Sequence, residues 1–524
     1  MKRVVAFAVV THCGGFQLWP EPELVTVREA TLCCIQDAFT IDVLPNAGSS
    51  HMSRLTTFAQ SASATIAQFA AVKNPCTATA CGATQCFVSV QNPGEPFSRD
   101  VTSEGSSLDF SIAKGCFITC STAYGCMHAI RTFLQTLDPL TGLAIPRSFK
   151  FDDKPQFSHR GLLIDTARHF LPVDVILGNL QLMSESKLNV LHWHITDHHS
   201  FPLQSEVFPG LSSQGAYSPK AVYSKADVRR VVSFANSLGI RVIPELDMPG
   251  HTEAWFKGYP ELLGVASWAI DPTRAENYRF LKTLLGEVKE WFQSDVFAGP
   301  FMMHLGMDEV AGGWDSDGVS AWMKATRVDS KEKLIQYWVK RMLRVAAQLD
   351  MRITMWEDFL VETGDDVSGF NDSDNPVTFQ LWTRSMNEGV QLSAKVKRDV
   401  VFSSDFYLDK LGRTWDTMYE TPLQAGVFGA EACMWGERID ATNIYQRVWP
   451  KAAALAERFW CGSRCALDAR TAVVRLAKWR CRMTELFKFK VAPLGIVRPI
   501  APDEEWTGHT DRMQWYCREA DLVP

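Results

Sequence analysis

The feature that most constrains the fold is a series of eight short apolar runs that alternate with amphipathic stretches after residue 152. Stretches such as 225–238, 278–292 and 331–349 space their apolar residues as a helix does when one face packs on a core. Eight buried strands alternating with helices predict an α/β fold, namely a (β/α)8 TIM barrel. The runs lie at 161–166, 189–196, 241–246, 302–306, 352–356, 377–382, 400–403 and 427–435.

An open, doubly wound sheet is the alternative architecture. It is disfavoured because no glycine-rich fingerprint follows the first run and no G-K-[ST] phosphate loop is present. Residues 17–150 lack this alternation, and their pattern predicts a smaller α+β domain in which the apolar residues of 124–134 have helical spacing. We therefore expect that domain at 17–150, the catalytic barrel at 151–500 and a tail at 501–524.

Charge and hydropathy exclude several classes of protein. The net charge is −6 and no long run of like charges occurs, so a nucleic-acid partner is not expected. No stretch approaches the ~18 uninterrupted apolar residues of a membrane span. The 17 tryptophans either fill a large core or stack on flat faces of a ligand, as in sugar-binding proteins.

The cysteines predict an oxidising compartment. Nine of the 14 lie at or before Cys126 and the rest at or after Cys433, without zinc-ligand spacing, so disulfides are expected. Residues 1–16 have a basic start and a short apolar run that suit a signal peptide, although a buried first strand is also compatible. Asn371 begins an N-x-S sequon in a polar loop and could carry a glycan.

The residues that close the eight runs predict a concave pocket lined by carboxylates and tryptophans. Chemistry in such barrels lies where strands end and the following loops begin. A single acidic strand end means little, but nearly every run here ends in acidic or aromatic residues. In order they are Asp165; His194 and Asp197; Glu245 and Asp247; Asp308 and Glu309; Trp356, Glu357 and Asp358; Trp382; Asp405 and Tyr407; and Trp435 and Glu437.

Two kinds of hydrolysis compete for this pocket. His192 and His194 form an H-x-H pair typical of metal sites, but completing the site needs more imidazoles and only His509 follows His304. Structural histidines are the simpler interpretation, and we expect neither a metal nor a cofactor.

The second kind is acid–base hydrolysis by carboxylates. Asp308 and Glu309 stand side by side on a run that otherwise reads as buried, where a raised pKa would suit a general acid. Ordinary glycosidases place two carboxyls about 5 to 9 Å apart across the scissile bond. Adjacent residues at a strand end are poorly placed for that arrangement, because successive side chains point in different directions. One acid could protonate a leaving oxygen while its neighbour orients another part of the substrate, as in the substrate-assisted exceptions.

Five segments carry a more specific signal in their order along the chain. They are HRGLLIDTARHF from His159, LNVLHWHITD from Leu188, DMPGHT from Asp247, HLGMDEV from His304, and GAEACMWGERID with VWPKAAALAERFW between Gly429 and Trp460. Together they resemble the family 20 glycoside hydrolases, the β-N-acetylhexosaminidases of lysosomal and secreted eukaryotic type. The resemblance covers about 155–460 and is weaker over the N-terminal domain.

The resemblance implies an exo-acting, retaining enzyme that releases terminal non-reducing β-linked N-acetylglucosamine or N-acetylgalactosamine. Its substrates would be glycoproteins, glycolipids or chitooligosaccharides, its location lysosomal or secreted, and its assembly a homodimer. In the implied mechanism the substrate's 2-acetamido oxygen attacks the anomeric carbon and forms an oxazolinium intermediate. Glu309 would protonate the leaving oxygen and then activate water, Asp308 would hold the acetamido N–H, and Tyr407 would donate to the acetamido oxygen.

Further roles follow from the same resemblance. Arg160 would contact sugar hydroxyls, although a structural ion pair is the alternative for it. A purely structural pair is likewise the alternative for Asp197 and His251. The expected set comprises Trp356, Trp382 and Trp435 as walls of the acetamide pocket, Arg160 and Glu437 at sugar hydroxyls, Asp409 at the 6-position, Asp197 and His251 as residues that position Glu309, and His304 as a further residue behind those that touch the substrate.

Two positions depart from the family's pattern. Met307 stands where the family commonly has the second glycine before its acid pair, and a side chain there could crowd the site. His198 and His199 follow Asp197 where the family often has other residues, so that loop would differ. The alternative that Met307 motivates is a carbohydrate-binding pseudoenzyme of the same fold, against which the intact acid pair argues.

Overall fold

The computed structural model describes residues 18–36, 38–45, 48–70, 78–98, 100–137, 143–310, 312–367 and 377–494. The leader expected at 1–16, the sequon at Asn371 and the tail expected at 501–524 lie outside these residues. Among the described residues, no helix is both long and apolar enough to cross a membrane.

The N-terminal part is a seven-stranded mixed sheet with two helices, which confirms the predicted α+β domain. Its strand order is β2-β4-β6-β5-β7-β1-β3. Helix α2 is buried at every residue, and it contacts the barrel through Arg131, which donates to the Leu238 carbonyl. The strands are β1 (Leu24–Cys34), β2 (Thr40–Val43), β3 (Thr79–Ala80), β4 (Gln85–Val90), β5 (Ser106–Ser111), β6 (Gly115–Cys120) and β7 (Ala144–Asp153), and the helices are α1 (Ser50–Ala70) and α2 (Ala123–Thr136).

Eight parallel strands then close into a barrel, as the alternating runs predicted. Each of the eight runs contributes one strand. Both faces of strands such as β8 are buried, which explains why the runs are apolar almost throughout. The strands are β8 (His159–Asp165), β9 (Val190–Thr196), β10 (Arg241–Met248), β11 (Phe301–Gly306), β12 (Met351–Trp356), β13 (Thr378–Leu381), β14 (Asp399–Phe402) and β15 (Gly429–Met434).

Helices of the barrel domain cover the outside of these strands. Helix α5 begins with a reciprocal capping box between Ser224 and Asp227, and α11 begins with one between Ser385 and Glu388, which fixes where each helix starts. The helices are α3 (Val173–Glu185), α4 (Gly210–Gly215), α5 (Lys225–Ser237), α6 (Glu253–Phe256), α7 (Ala275–Phe292), α8 (Asp317–Thr326), α9 (Lys331–Gln348), α10 (Asp358–Glu362), α11 (Met386–Val396), α12 (Trp415–Tyr419), α13 (Ile444–Val448), α14 (Lys451–Cys461) and α15 (Ala469–Cys481).

Disulfide bonds are present in both parts of the chain, as the cysteine count predicted. Among the pairs for which both cysteines are described, three lie in the N-terminal domain and one joins the last residue of α14 to the loop that follows it. Disulfides of this kind persist in oxidising compartments. The described pairs are Cys33–Cys81, Cys86–Cys116, Cys120–Cys126 and Cys461–Cys465.

The chain leaves β11 through a turn that separates the two adjacent acids. Gly306, Met307 and Glu309 have φ angles of +67°, +69° and +50°, in the left-handed region that side chains disfavour. At Gly306 a Cβ atom would lie 1.7 Å from Asp247 Oδ1, so glycine is required there. Beyond the turn, the Asp308 side chain is 14% exposed and that of Glu309 is 59% exposed.

Met307 tolerates the left-handed backbone because its side chain is buried. It is 4% exposed and belongs to the same apolar core as Trp314, Trp338 and Phe359. A left-handed conformation costs a non-glycine residue about 1–2 kcal/mol. Burial of a methionine side chain contributes about 2–5 kcal/mol, judged from truncations to alanine. Packing therefore outweighs the strain, and the side chain lies in the core rather than between the two acids.

Two truncations separate these contributions. Met307→Ala and Met307→Gly both remove the buried side chain and should lower the free energy of unfolding. Glycine also removes the left-handed strain, so it should be the more stable variant by about 0.5–1 kcal/mol, despite its larger unfolded-state entropy. Urea unfolding of both variants, followed by tryptophan fluorescence, measures the difference. A more stable alanine variant would contradict this account of the turn.

Candidate active site

Aromatic side chains from four consecutive strand ends form one cluster at the carboxyl end of the barrel. Trp356 and Tyr407 pack together with Leu163 and Cys433, and Trp382 and Trp435 pack against them. The rings of Trp356 and Trp435 are 5.8 Å apart, and those of Tyr407 and Trp435 are 6.3 Å apart. The structure thus brings together the three expected tryptophans and the expected tyrosine, in an apolar cluster distinct from the main core.

Asp308 lies beside this cluster as a buried acid next to a second one, Asp247. Burial, aided by Asp358 and Glu245, raises the pKa of Asp308 to about 7, although His251 opposes the rise. The pKa of Asp247 is raised further above its usual value, first by burial and then by Asp308. Two carboxyls buried side by side resist ionising together, because a charge on Asp308 raises the pKa of Asp247.

One oxygen of Asp308 has no partner within the part of the chain that the structure describes. Oδ1 is buried and accepts no hydrogen bond from any described residue. Buried polar atoms are nearly always hydrogen-bonded, and those that are not usually have a functional explanation. The atom is therefore suited to accept a hydrogen bond from an N–H group of a ligand.

Glu309 faces solvent and is held by an imidazole. His251 Nε2 lies 3.3 Å from Glu309 Oε2 and 3.8 Å from Asp308 Oδ2, while its Nδ1 lies 3.2 Å from Asp197 Oδ1. Burial opposes the charge on His251, but Asp247 and the bonds to Asp197 and Glu309 raise its pKa. The hydrogen bond from His251 in turn lowers the pKa of Glu309. The raised pKa expected within the acid pair is thus found at Asp308 and not at Glu309.

Arg168 is an arginine of the site that the sequence reasoning missed. It lies in the loop after β8, where its Nη1 is 3.0 Å from Asp165 Oδ2 and its Nη2 is 2.7 Å from Asp197 Oδ2. Its guanidinium lies 5.0 Å from the Trp435 ring and 4.0 Å from Glu437 Oε1. Its place at the carboxyl end of a strand was a signal readable from the sequence.

Asp409 and Glu437 lie on the same side of the cluster. Glu437 is half-exposed, and burial followed by the charge of Glu437 raises the pKa of Asp409. Asp409 Oδ1 is buried without a hydrogen-bond partner among the described residues. A polar ligand with hydroxyl groups would supply the missing donor.

Comparison with known proteins identifies the family. The model of the glycosyl hydrolase family 20 catalytic domain matches residues 157–424 and 410–463. Human beta-hexosaminidase subunit beta is 37% identical over 393 residues, which are 69% of this chain and 67% of the relative. Beta-hexosaminidase 1 of Arabidopsis thaliana is 34% identical over 393 residues, 71% of this chain and 70% of that relative. The chain belongs to glycosyl hydrolase family 20.

Solved structures share this fold. The chitobiase of Flavobacterium johnsoniae aligns with a TM-score of 0.73 at 24% identity, covering 90% of this chain and 73% of that one. The exo β-N-acetylglucosaminidase of Vibrio harveyi, solved in complex with N-acetylglucosamine, also aligns with a TM-score of 0.73. Its sequence identity is 22%, and the alignment covers 94% of this chain and 80% of that chain. These likenesses confirm the predicted barrel with its preceding smaller domain.

The expected sugar contact by Arg160 is wrong for this family 20 chain. Arg160 lies at the amino end of β8 and is fully buried. Its guanidinium forms two hydrogen bonds to Glu104, at 2.9 and 2.5 Å, and another to the Phe157 carbonyl. The structural ion-pair alternative therefore describes Arg160, which joins the N-terminal domain to the amino-terminal end of the barrel.

The H-x-H pair lies in a hydrogen-bond network inside the barrel. One ring nitrogen each of His192 and His304 and one carboxyl oxygen of Glu245 lie within 4.8 Å of one another. His192 Nε2 is 2.9 Å from Glu245 Oε2, and His304 Nδ1 is 2.8 Å from Glu245 Oε1. His304 thus contacts Glu245 in the interior of the barrel.

Two further acids of this site had only been noted as strand ends. Asp358 accepts hydrogen bonds from Trp382 Nε1 at 2.8 Å and from the Glu309 backbone N–H at 3.1 Å. Glu357 is buried and accepts from the Trp382 backbone N–H at 2.8 Å. Together the two carboxylates fix Trp382 and the backbone of Glu309.

Proposed function

We propose that this family 20 hydrolase is an exo-acting, retaining β-N-acetylhexosaminidase. It hydrolyses terminal non-reducing β-linked N-acetylglucosamine and N-acetylgalactosamine by substrate-assisted catalysis. The observation that carries the proposal is the unpartnered carboxyl oxygen of Asp308 beside an apolar cluster of tryptophans. An acetamido group matches this arrangement, because its N–H can donate to the carboxylate while its methyl group contacts the indole rings.

The acetamido group supplies the nucleophile in this mechanism. Asp308 accepts the acetamido N–H and stabilises the positive charge that develops as the acetamido oxygen attacks the anomeric carbon. Tyr407 donates to that oxygen, and it keeps its proton because burial raises the pKa of its hydroxyl. Trp356, Trp382 and Trp435 exclude water, which would otherwise compete with the intramolecular attack.

Glu309 acts as the general acid and then as the general base. Substrate that covers its exposed carboxyl removes water from it and raises its pKa toward the range a general acid needs. His251 and Asp197 hold the carboxyl in position. Glu437 and Arg168 contact sugar hydroxyls, and Asp409 contacts the 6-position.

The location and wider partners follow from the same proposal. The disulfides support a place in the secretory pathway, lysosomal or secreted, where glycoproteins, glycolipids or chitooligosaccharides would be the substrates. The homodimer implied by the resemblance is part of the proposal.

The two acids should respond differently to the leaving group. Glu309→Gln should lower kcat/KM by about 10²–10⁴-fold on glycosides with poor leaving groups. The loss should be much smaller on 4-nitrophenyl glycosides, because 4-nitrophenolate leaves without being protonated. Asp308→Asn should lower both by about 10²–10³-fold, because acetamido assistance precedes departure of either group. The values of kcat/KM are measured in steady-state assays, with and without EDTA, on two β-N-acetylglucosaminides: one with a poor leaving group and one with 4-nitrophenol. If Asp308→Asn lost activity only on poor leaving groups while Glu309→Gln lost it equally on both substrates, the roles assigned to the two acids would be reversed.

Asp409 should discriminate against a substrate that is anionic at the 6-position. At neutral pH a 6-sulfated substrate should be hydrolysed at least about tenfold more slowly than the unsulfated one, since like charges repel. Because the pKa of Asp409 is raised, the carboxyl becomes neutral as the pH falls, and the discrimination should shrink. Asp409→Asn is the control and should discriminate less at neutral pH. Equal rates for the two substrates with the unmodified enzyme would refute this specificity.

A further inference from the structure

A continuous chain of alternating imidazoles and carboxylates connects the interior of the barrel to Glu309. Its first half joins Glu245 to Asp197 through His194, whose Nδ1 is 2.5 Å from Glu245 Oε2 and whose Nε2 is 2.9 Å from Asp197 Oδ2. Its second half joins Asp197 to Glu309 through His251, at 3.2 and 3.3 Å. Four contacts through three intervening residues therefore connect Glu245 to the general acid.

Glu245 also holds a wall of the acetamide pocket. Its other oxygen, Oε1, accepts a hydrogen bond of 3.0 Å from Trp356 Nε1. The same oxygen lies 2.8 Å from His304 Nδ1. One buried side chain thus contacts both the wall that confines the acetamido group and the chain that leads to the general acid.

Strand register places these groups side by side. Glu245 of β10 pairs with His194 of β9 and with His304 of β11, so the three side chains enter the barrel at one level. Glu245 is completely buried, and an isolated carboxylate there would be unstable. Burial opposes its charge, but His304, His194 and His192 hold the pKa of Glu245 well below its usual value.

The anion at Glu245 determines what His194 can do. Although burial opposes the charge on His194, Glu245 and Asp197 raise its pKa well above the usual value, so both ring nitrogens carry protons. His194 can then donate to both carboxylates at once. This fixes the orientation of Asp197, and Asp197 in turn fixes the Nδ1–H of His251 and aims its Nε2 at Glu309.

We propose that Glu245 is a positioning residue that couples the two halves of the reaction. Through its bond to Trp356 it fixes the pocket in which the acetamido oxygen attacks. Through His194, Asp197 and His251 it fixes the carboxyl that protonates the leaving oxygen. The inference rests on the proposed function, and it adds that the two halves share one buried anion.

Glu431 provides a matched control, because it is a second buried carboxylate in the same network. It lies on β15 and accepts from His159 Nε2 at 2.8 Å, His192 Nδ1 at 2.7 Å and Gln380 Nε2 at 2.8 Å. Among its described contacts are neither Trp356 nor His194. Replacing Glu431 therefore disturbs the barrel interior to a similar extent without cutting either connection from Glu245.

The test compares Glu245→Gln, His194→Gln and Glu431→Gln on a 4-nitrophenyl β-N-acetylglucosaminide and on a β-linked N-acetylglucosamine disaccharide. Rates are expressed per folded molecule, from circular dichroism. Glu245→Gln should lose activity on both substrates and should lose at least about tenfold more on the disaccharide, where the general acid is needed. His194→Gln should likewise lose more activity on the disaccharide than on the 4-nitrophenyl glycoside. Glu431→Gln should lower the melting temperature but leave the rates on both substrates within about threefold of the unmodified enzyme.

The double variant Glu245→Gln/His194→Gln tests the connection itself. Its leaving-group-dependent loss should be no larger than that of the single variants, because both cut the same chain. A loss in Glu245→Gln that is equal on the two substrates, or that Glu431→Gln reproduces, would overturn the inference. If Glu245→Gln does not fold, equal losses in His194→Gln would overturn it instead. Failure of the unmodified enzyme to hydrolyse either substrate would refute the proposed function separately.

Discussion

The site depends on how carboxylates are buried among imidazoles at the carboxyl end of the barrel. An ionised carboxylate in a low-dielectric interior is unstable unless charges or hydrogen bonds compensate it. Glu245 and Asp197 are compensated by surrounding histidines, whereas burial and the neighbouring Asp308 raise the pKa of Asp247. Asp308 retains a buried oxygen that no described residue satisfies. That oxygen, like the unpartnered Oδ1 of Asp409, is therefore available to a hydrogen-bond donor of the ligand.

The two ends of β8 show how one strand serves stability and chemistry separately. At its amino end Arg160 pairs with Glu104 of the N-terminal domain, and it anchors that domain to the barrel. At its carboxyl end Arg168 pairs with Asp165 and Asp197 beside the aromatic cluster. Only seven residues lie between the two arginines in the sequence, and the strand places them at opposite ends of the barrel.

Much of this arrangement was readable from the sequence, and the rest depends on geometry that a sequence does not encode locally. Eight apolar runs predicted the barrel because parallel strands are buried on both faces. The same strand-end rule that found Trp356 and Tyr407 would have preferred Arg168 to Arg160, had it been applied to the arginines. The pairing of Asp247 with Asp308 could not be predicted, because it depends on strand register and on the left-handed turn at 306–309. The convergence of three histidines on Glu245 likewise depends on register.

The central claim is that the substrate's own acetamido oxygen is the nucleophile in a pocket that Asp308 organises. The most direct measurement is kcat/KM for 4-nitrophenyl glycosides whose 2-acetamido group carries zero, one, two or three fluorine atoms. Fluorine withdraws electrons from the amide oxygen and changes the size of the group little. The account predicts that the rate falls steeply and steadily with each added fluorine. A rate that is independent of fluorine content would contradict the claim, because it would show that the acetamido oxygen takes no part in bond formation.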